Sequence, residues 1–187
     1  MEKKNTNQTP DIAIPPSDLG TLDDIEIVYY PDEVLRQPAA TVKDMGDSLR
    51  ATIDRMVFLM RHARGIGLAA PQVGILERFF VVQVDNDPVY VFINPSIVGT
   101  SHETGVYEEG CLSIPGLYAD VKRPSEIQVQ AWNENGRPFT LNADGMLARV
   151  ILHELDHLNG VLFLDHLSDR KREKLLQKYR KPEDSTR

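Results

Sequence analysis

One stretch constrains this chain more than any other: Asp144 to Gly160, which reads DGMLARVILHELDHLNG. It holds His153-Glu154-Leu155-Asp156-His157, an H-E-x-x-H. Two histidines four residues apart sit about 40° apart around a helix and one turn along it, so both imidazoles can reach one metal ion. Glu154 projects about 100° from His153, which places its carboxylate beside such an ion as a general base. Met146 and Val150 fall on the histidine side, while Ala148, Ile151, Leu152 and Leu155 cover most of the opposite side. A helix apolar nearly all round is a buried one, and buried charges need partners because an unpaired one is very costly. Surface helices produce accidental H-E-x-x-H strings; burial argues against that origin here. Gly160 stands where a left-handed C-terminal cap is expected.

The surroundings of this helix read as one α+β domain. With 187 residues, a single domain with a real core is the default. Residues 1–24 are polar, carry Pro10, Pro15 and Pro16, and are expected to form a flexible tail. Structure should begin near Ile25, with a turn at Tyr30-Pro31-Asp32. Asp47 or Ser48 can cap an amphipathic helix running to about Arg64, with Leu49, Ile53, Met56, Val57 and Met60 on one face. The small-residue segment 65–74, GIGLAAPQVG, reads as a loop that lets backbone approach something closely; it lacks the Lys-Ser/Thr of a phosphate loop. Strands are expected at 79–84, 89–93, 127–132 and 137–141, the last two flanking the hairpin signal Asn133-Glu134-Asn135-Gly136. Ser168 should cap a final helix to about Arg180, with Leu175, Leu176 and Tyr179 facing inward. The fold class is therefore α+β, antiparallel or mixed strands around a buried central helix plus a C-terminal helix. The domain reading is a tail over 1–24, a catalytic domain over 25–167, and a basic helix and tail over 168–187.

Composition narrows the setting. No apolar run approaches the roughly 18 residues of a membrane span, and no apolar segment near the N-terminus looks like a signal peptide. A single cysteine, Cys111, excludes an intrachain disulfide, and cytoplasm is the simplest compartment. The net charge of −7 argues against general nucleic-acid binding, but residues 170–181 hold seven positive charges and one negative. That is a local +6 on a body of −13.

A catalytic metal usually takes three protein ligands and leaves one position open. A metzincin would carry its third histidine where Phe163 stands, so that reading fails. Glu173 or Glu183 could serve a peptidase, but both lie in the basic C-terminal segment, a poor place for a ligand. Cys111, in Glu109-Gly110-Cys111-Leu112-Ser113, is the better candidate: a thiolate would complete a Cys-His-His set. The bland alternative is a buried structural thiol, the commoner fate of a lone intracellular cysteine.

Three segments in this order, 65–72, 109–113 and 153–160, resemble peptide deformylase, the enzyme that removes the formyl group from nascent polypeptides. Secondary matches at Tyr30-Pro31-Asp32, Leu35-Arg36 and Ile93-Asn94-Pro95 extend the likeness from about residue 25 to about residue 167, and the basic end resembles that of type 1 bacterial members. The resemblance implies Cys111, His153 and His157 as metal ligands, Glu154 as proton carrier, and Gln72 with the backbone N–H of Leu112 as oxyanion donors. It also implies Fe²⁺ as the working metal with Zn²⁺, Ni²⁺ or Co²⁺ as substitutes, and N-formyl-methionyl peptides as substrates. The ribosome would be a transient partner of the basic helix, and no membrane is involved. Ile66, Gly67, Gly110, Met146 and Val150 are the expected substrate-binding residues. Core packing is the plain alternative for Met146. Tyr118 stands where some members carry a substrate-contacting arginine. One departure stands out: the family usually has glutamine before the first metal histidine, and here it is Leu152, which implies a lost outer hydrogen bond. Arg123 and Asp156 are expected to form a structural ion pair. The rivals are a metal-binding module without turnover and a metallopeptidase.

Overall fold

The computed structural model describes residues 25–182 except residue 86. The proposed tail and Glu183 therefore lie outside the described residues. Helix α1 spans Asp47–His62 and α2 spans Gly145–Leu158. Between them run β1 (Gly67–Ala69), β2 (Phe79–Val82), β3 (Tyr90–Thr100), β4 (Thr104–Cys111), β5 (Ile114–Pro124), β6 (Glu126–Trp132) and β7 (Pro138–Asp144). A last helix, α3, covers Asp169–Leu176. Five strands form an antiparallel sheet in the order β1-β2-β3-β6-β7, and β4 with β5 forms a separate hairpin.

The sheet is the partition between the two long helices. Alternate residues of a strand face opposite sides. Phe79 and Val81 of β2 join the cluster with Leu49, Ile53, Met56 and Met60 of α1, whereas Phe80 and Val82 join Ala148, Ile151 and Leu158 of α2. All four β2 residues are buried, as a strand covered on both faces must be. Strand β6 instead alternates, with Ile127, Val129 and Ala131 against α2 and the residues between them exposed. Each such fully buried Phe, Leu or Ile stabilises the fold by about 1.5–3 kcal/mol. A third cluster, Leu35, Ile114, Leu117, Val121, Leu162, Phe163 and Leu164, sits under the β4–β5 hairpin, and Leu175, Leu176 and Tyr179 pack against it.

The α+β expectation holds, with corrections in detail. Gly46, not Asp47 or Ser48, precedes the first turn of α1, and the helix stops at His62 rather than Arg64. Part of the expected loop at 65–74 is strand β1, which pairs with β2, followed by a 3-10 turn at Ala70–Val73. The β4–β5 hairpin, built from two of the longer strands, has no counterpart among the expected strands. Helix α3 ends at Leu176, not Arg180. The Asn133–Gly136 turn forms as expected: Gly136 adopts φ 67°, and the Asn133 side chain accepts from the backbone of Asn135 and Arg137. Gly160 follows α2 at φ 71° with its Cα against the Arg36 carbonyl, so a side chain there meets both strain and backbone.

Candidate active site

Helix α2 lies against β1 and the hairpin, and its histidine face meets the end of β4. There the ligand atoms of Cys111, His153 and His157 all lie within 4.8 Å of one another. Cys111 Sγ is 3.2 Å from His157 Nε2. Both histidines are buried, and Cys111 is half-buried. The register of β4 and β5 slips between Gly110 and Cys111, where the chain turns over to Ile114 and presents the thiol to the helix.

The remaining groups surround this set. Glu154 is buried, and its Oε2 has no hydrogen-bond partner among the described residues. Burial pushes its carboxyl up to about 7, against a smaller opposing pull from His153. Gln72 accepts from the Ala69 N–H at 2.8 Å through Oε1, which fixes the amide and aims its NH₂ at Cys111 Sγ (3.4 Å) and Ser113 Oγ (3.3 Å). Gly67 is packed so closely that a Cβ would strike the Glu154 carboxylate and approach Val150 Cγ1 to 2.8 Å. At Gly65 a Cβ would lie 2.6 Å from Leu112 Cδ1. Small residues here let β1 and its approach lie flat against Glu154, Val150 and Leu112.

Glu109 joins the site although its place in the 109–113 segment assigns it no role in sequence. It precedes Cys111 by two positions in a strand and so faces the same side, a signal that was legible. Its Oε2 accepts from His153 Nδ1 at 3.0 Å, leaving the other ring nitrogen free for an ion. Burial raises the Glu109 carboxyl, but hydrogen bonds from Arg123 and His153 outweigh it and hold the group well below the usual carboxylate range. Burial disfavours a charged His153, yet hydrogen bonds to Cys111 and Glu109 with nearby negative charge push it up to about 10. His157 goes the other way: burial and the charge of His153 keep it neutral. The expected Arg123–Asp156 ion pair is present at 2.8 Å. Leu152 packs half-buried against the α2-side core, and Asp156 has Arg123 and His166 as partners without any glutamine at 152.

A cavity of about 580 Å³ opens beside the ligands, lined by Ile66, Gly67, Gln72, Gly110, Cys111, Leu112, Met146, Val150, His153 and Glu154 among others. Every expected substrate-binding residue borders it. Val150 is buried at its base, whereas Ile66 and Met146 stand at the mouth, 42% and 48% exposed. Met146 is thus not a core residue. Tyr118 is also at the rim, its ring against Gly110.

A thiol and two imidazoles, with a buried carboxyl and a fixed amide donor beside them, are the groups that a metal-dependent hydrolase uses. The donor set fits an ion: soft and borderline ligands converge, and the unpartnered Glu154 oxygen faces the same region. Comparison with known proteins places the chain within that class. Residues 25–173 match the polypeptide deformylase family. A peptide deformylase of Borreliella burgdorferi is 45% identical over 83% of this chain and 94% of its own length. That of Hydrogenovibrio crunogenus is 46% identical over 86% and 95%. Among solved structures, a peptide deformylase from Synechococcus elongatus in complex with actinonin superposes with TM-score 0.79 at 47% identity, covering 90% of this chain and 88% of that one. One from Legionella pneumophila gives TM-score 0.79 at 42% identity over 82% and 91%. The chain belongs to the polypeptide deformylase family. As a member it is a metal-dependent hydrolase that removes the N-formyl group from the N-terminal methionine of newly made polypeptides. Among the described residues no helix is long and apolar enough to cross a membrane.

Proposed function

We propose that Cys111, His153 and His157 hold a divalent ion, Fe²⁺ in the working enzyme, with Zn²⁺, Ni²⁺ or Co²⁺ able to replace it. The observation that carries this reading is the convergence of the three ligand atoms next to the buried, unpartnered oxygen of Glu154. When bound, the ion supplies a Lewis acid that polarises the formyl carbonyl and acidifies water. Glu154, whose carboxyl is raised toward neutrality, takes the proton of the attacking water and returns it to the leaving amine. The Gln72 amide and the Leu112 N–H hold the developing oxyanion; removing one such donor costs about 3 kcal/mol of barrier. Val150 at the base and Ile66 and Met146 at the mouth receive the methionine side chain, while Gly67 and Gly110 border the cavity along the substrate backbone.

The test is product analysis with anaerobic, iron-loaded protein given a formyl-Met tripeptide, its acetyl analogue and unblocked casein. A formyl carbon carries only hydrogen, so it can approach where an acetyl methyl is obstructed. Formate from the first, little acetate from the second and no casein fragments are expected. Casein cleavage would establish a metallopeptidase, and no turnover of any substrate would leave a binding module.

We further propose that the chain acts in the cytoplasm and docks transiently on the ribosome through its basic end. The support is the charge of residues 170–181 and the exposure of Arg170, Lys171 and Lys174. Neutralising Arg170, Lys171, Arg172 and Lys174 should weaken ribosome association with a reduced salt dependence while sparing peptide turnover. Association indifferent to both salt and these changes would remove this part of the reading.

A further inference from the structure

Glu109 is buried, and each of its carboxylate oxygens is engaged twice. Oε1 accepts from Arg123 Nε at 2.6 Å and Arg149 Nη1 at 2.7 Å. Oε2 accepts from Arg123 Nη2 at 2.9 Å and His153 Nδ1 at 3.0 Å. A carboxylate offers about four lone-pair sites, so this one is filled from every direction. Arg123 is shared, because its Nη1 also donates to Asp156 at 2.8 Å. One guanidinium therefore faces two carboxylates, and Arg149 brings the second positive charge that balances them.

Arg149 is itself held in place. It donates to the carbonyls of Val121 and Gly105, each at 3.0 Å, and its Cζ lies 4.8 Å from the centre of the Tyr107 ring, which covers it. It stands one turn before His153 on α2, so the two side chains reach the same carboxylate from one helix face. We propose that Arg149 is a positioning residue for the metal ligand His153, acting through Glu109. With Arg149 in place, Glu109 keeps one orientation, accepts the His153 Nδ1–H, and holds the ring with Nε2 toward the ion. Without it, Oε1 loses one of its two donors, and the buried Glu109 and half-buried Asp156 are left to share the Arg123 guanidinium. The proposal rests on the metal-centre reading above.

A merely structural staple between α2 and the hairpin would look alike in a stability measurement, so the test reads the metal. Full-length protein loaded with Co²⁺ is challenged with a competing chelator, and the visible absorption of the bound ion is recorded. Arg149→Met should weaken Co²⁺ retention about 10–100-fold, the range for loss of an outer-shell partner, and shift the ligand-field bands. Arg149→Lys should fall between. In a Glu109→Gln background, Arg149→Met should add less than about twofold, because its route to the metal is already cut. Wild-type retention and spectrum in Arg149→Met, or full additivity in the double variant, would overturn the proposal. If Arg149→Met does not fold, Arg149→Lys decides: weakened retention with an altered spectrum supports the role, and wild-type values refute it. Wild-type protein that takes up no Co²⁺ would bring down the metal-centre reading and this proposal with it, an outcome distinct from equal binding by wild type and variant.

Discussion

Helix α2 and the β4–β5 hairpin supply the same centre from opposite kinds of sequence. The helix brings two candidate ligands and a candidate base from one five-residue string, set in an apolar segment whose period announces it. The hairpin brings the third candidate, Cys111, and the carboxylate behind it, from strands whose pattern hides them. Glu109 and Arg123 occupy inward positions where alternation predicts apolar residues, yet they are only 6% and 5% exposed. They are buried because they pair with each other and with Arg149, Asp156 and His153. Periodicity detects burial through hydrophobicity, so a face buried by mutual charge pairing is invisible to it. The difference teaches that the helix is where the chemistry is written and the hairpin is where it is braced.

The largest expected effect is on the helix side. Glu154→Ala should retain its metal, since Glu154 is not among the proposed ligands, and lose about 10²–10⁴-fold in formate release. Rates measured at equal metal content decide this. A near wild-type rate would transfer the proton-carrying role to another group.

Proton linkage joins the two regions. In the metal-free protein, His153 is raised from 6.5 to about 10, so it contributes stability below pH 6.5 that is lost as pH rises toward 10. An arriving ion must displace that proton from the ring. Metal affinity should therefore rise at least about tenfold per pH unit between pH 6.5 and 10, accompanied by measurable proton release. Affinity independent of pH across that window would contradict the picture of a protonated ring held between Glu109 and Cys111.

A smaller effect probes the packing of β1 on α2. Gly67→Ala places a methyl against the Glu154 carboxylate and Val150, and overpacking of this kind costs about 1–3 kcal/mol. Thermal unfolding should show the loss, and turnover should fall further than stability alone explains. An unchanged melting temperature and unchanged turnover would mean that the two elements separate easily.

Much of the fold was legible, and what was missed has physical causes. The α2 helix, the inward face of α1 and the Asn133–Gly136 hairpin followed from periodicity and turn chemistry. Strand β1 looks like loop because three residues, Gly67, Leu68 and Ala69, are too few to carry a pattern; its pairing with β2 makes it a strand. The C-terminal helix was drawn too long because basic residues after Leu176 favour a helix that tertiary contacts interrupt. There Tyr179 turns inward, its hydroxyl donating to the Tyr30 carbonyl at 2.9 Å. In the site, Gln72, Cys111, Leu112 and the α2 residues were picked out by motif, whereas Arg149 carries no signal of its own. An arginine on a mostly apolar helix reads as the solvent side until its partner on a distant strand is known.

The central claim is that helix and hairpin hold one ion together. X-ray absorption on zinc-loaded protein tests it most directly. The account predicts one sulfur at about 2.3 Å and two imidazole nitrogens at about 2.0–2.1 Å, with the sulfur lost in Cys111→Ala. A shell of nitrogen and oxygen alone in the wild-type protein would show that the hairpin does not ligate the ion, and would contradict the account.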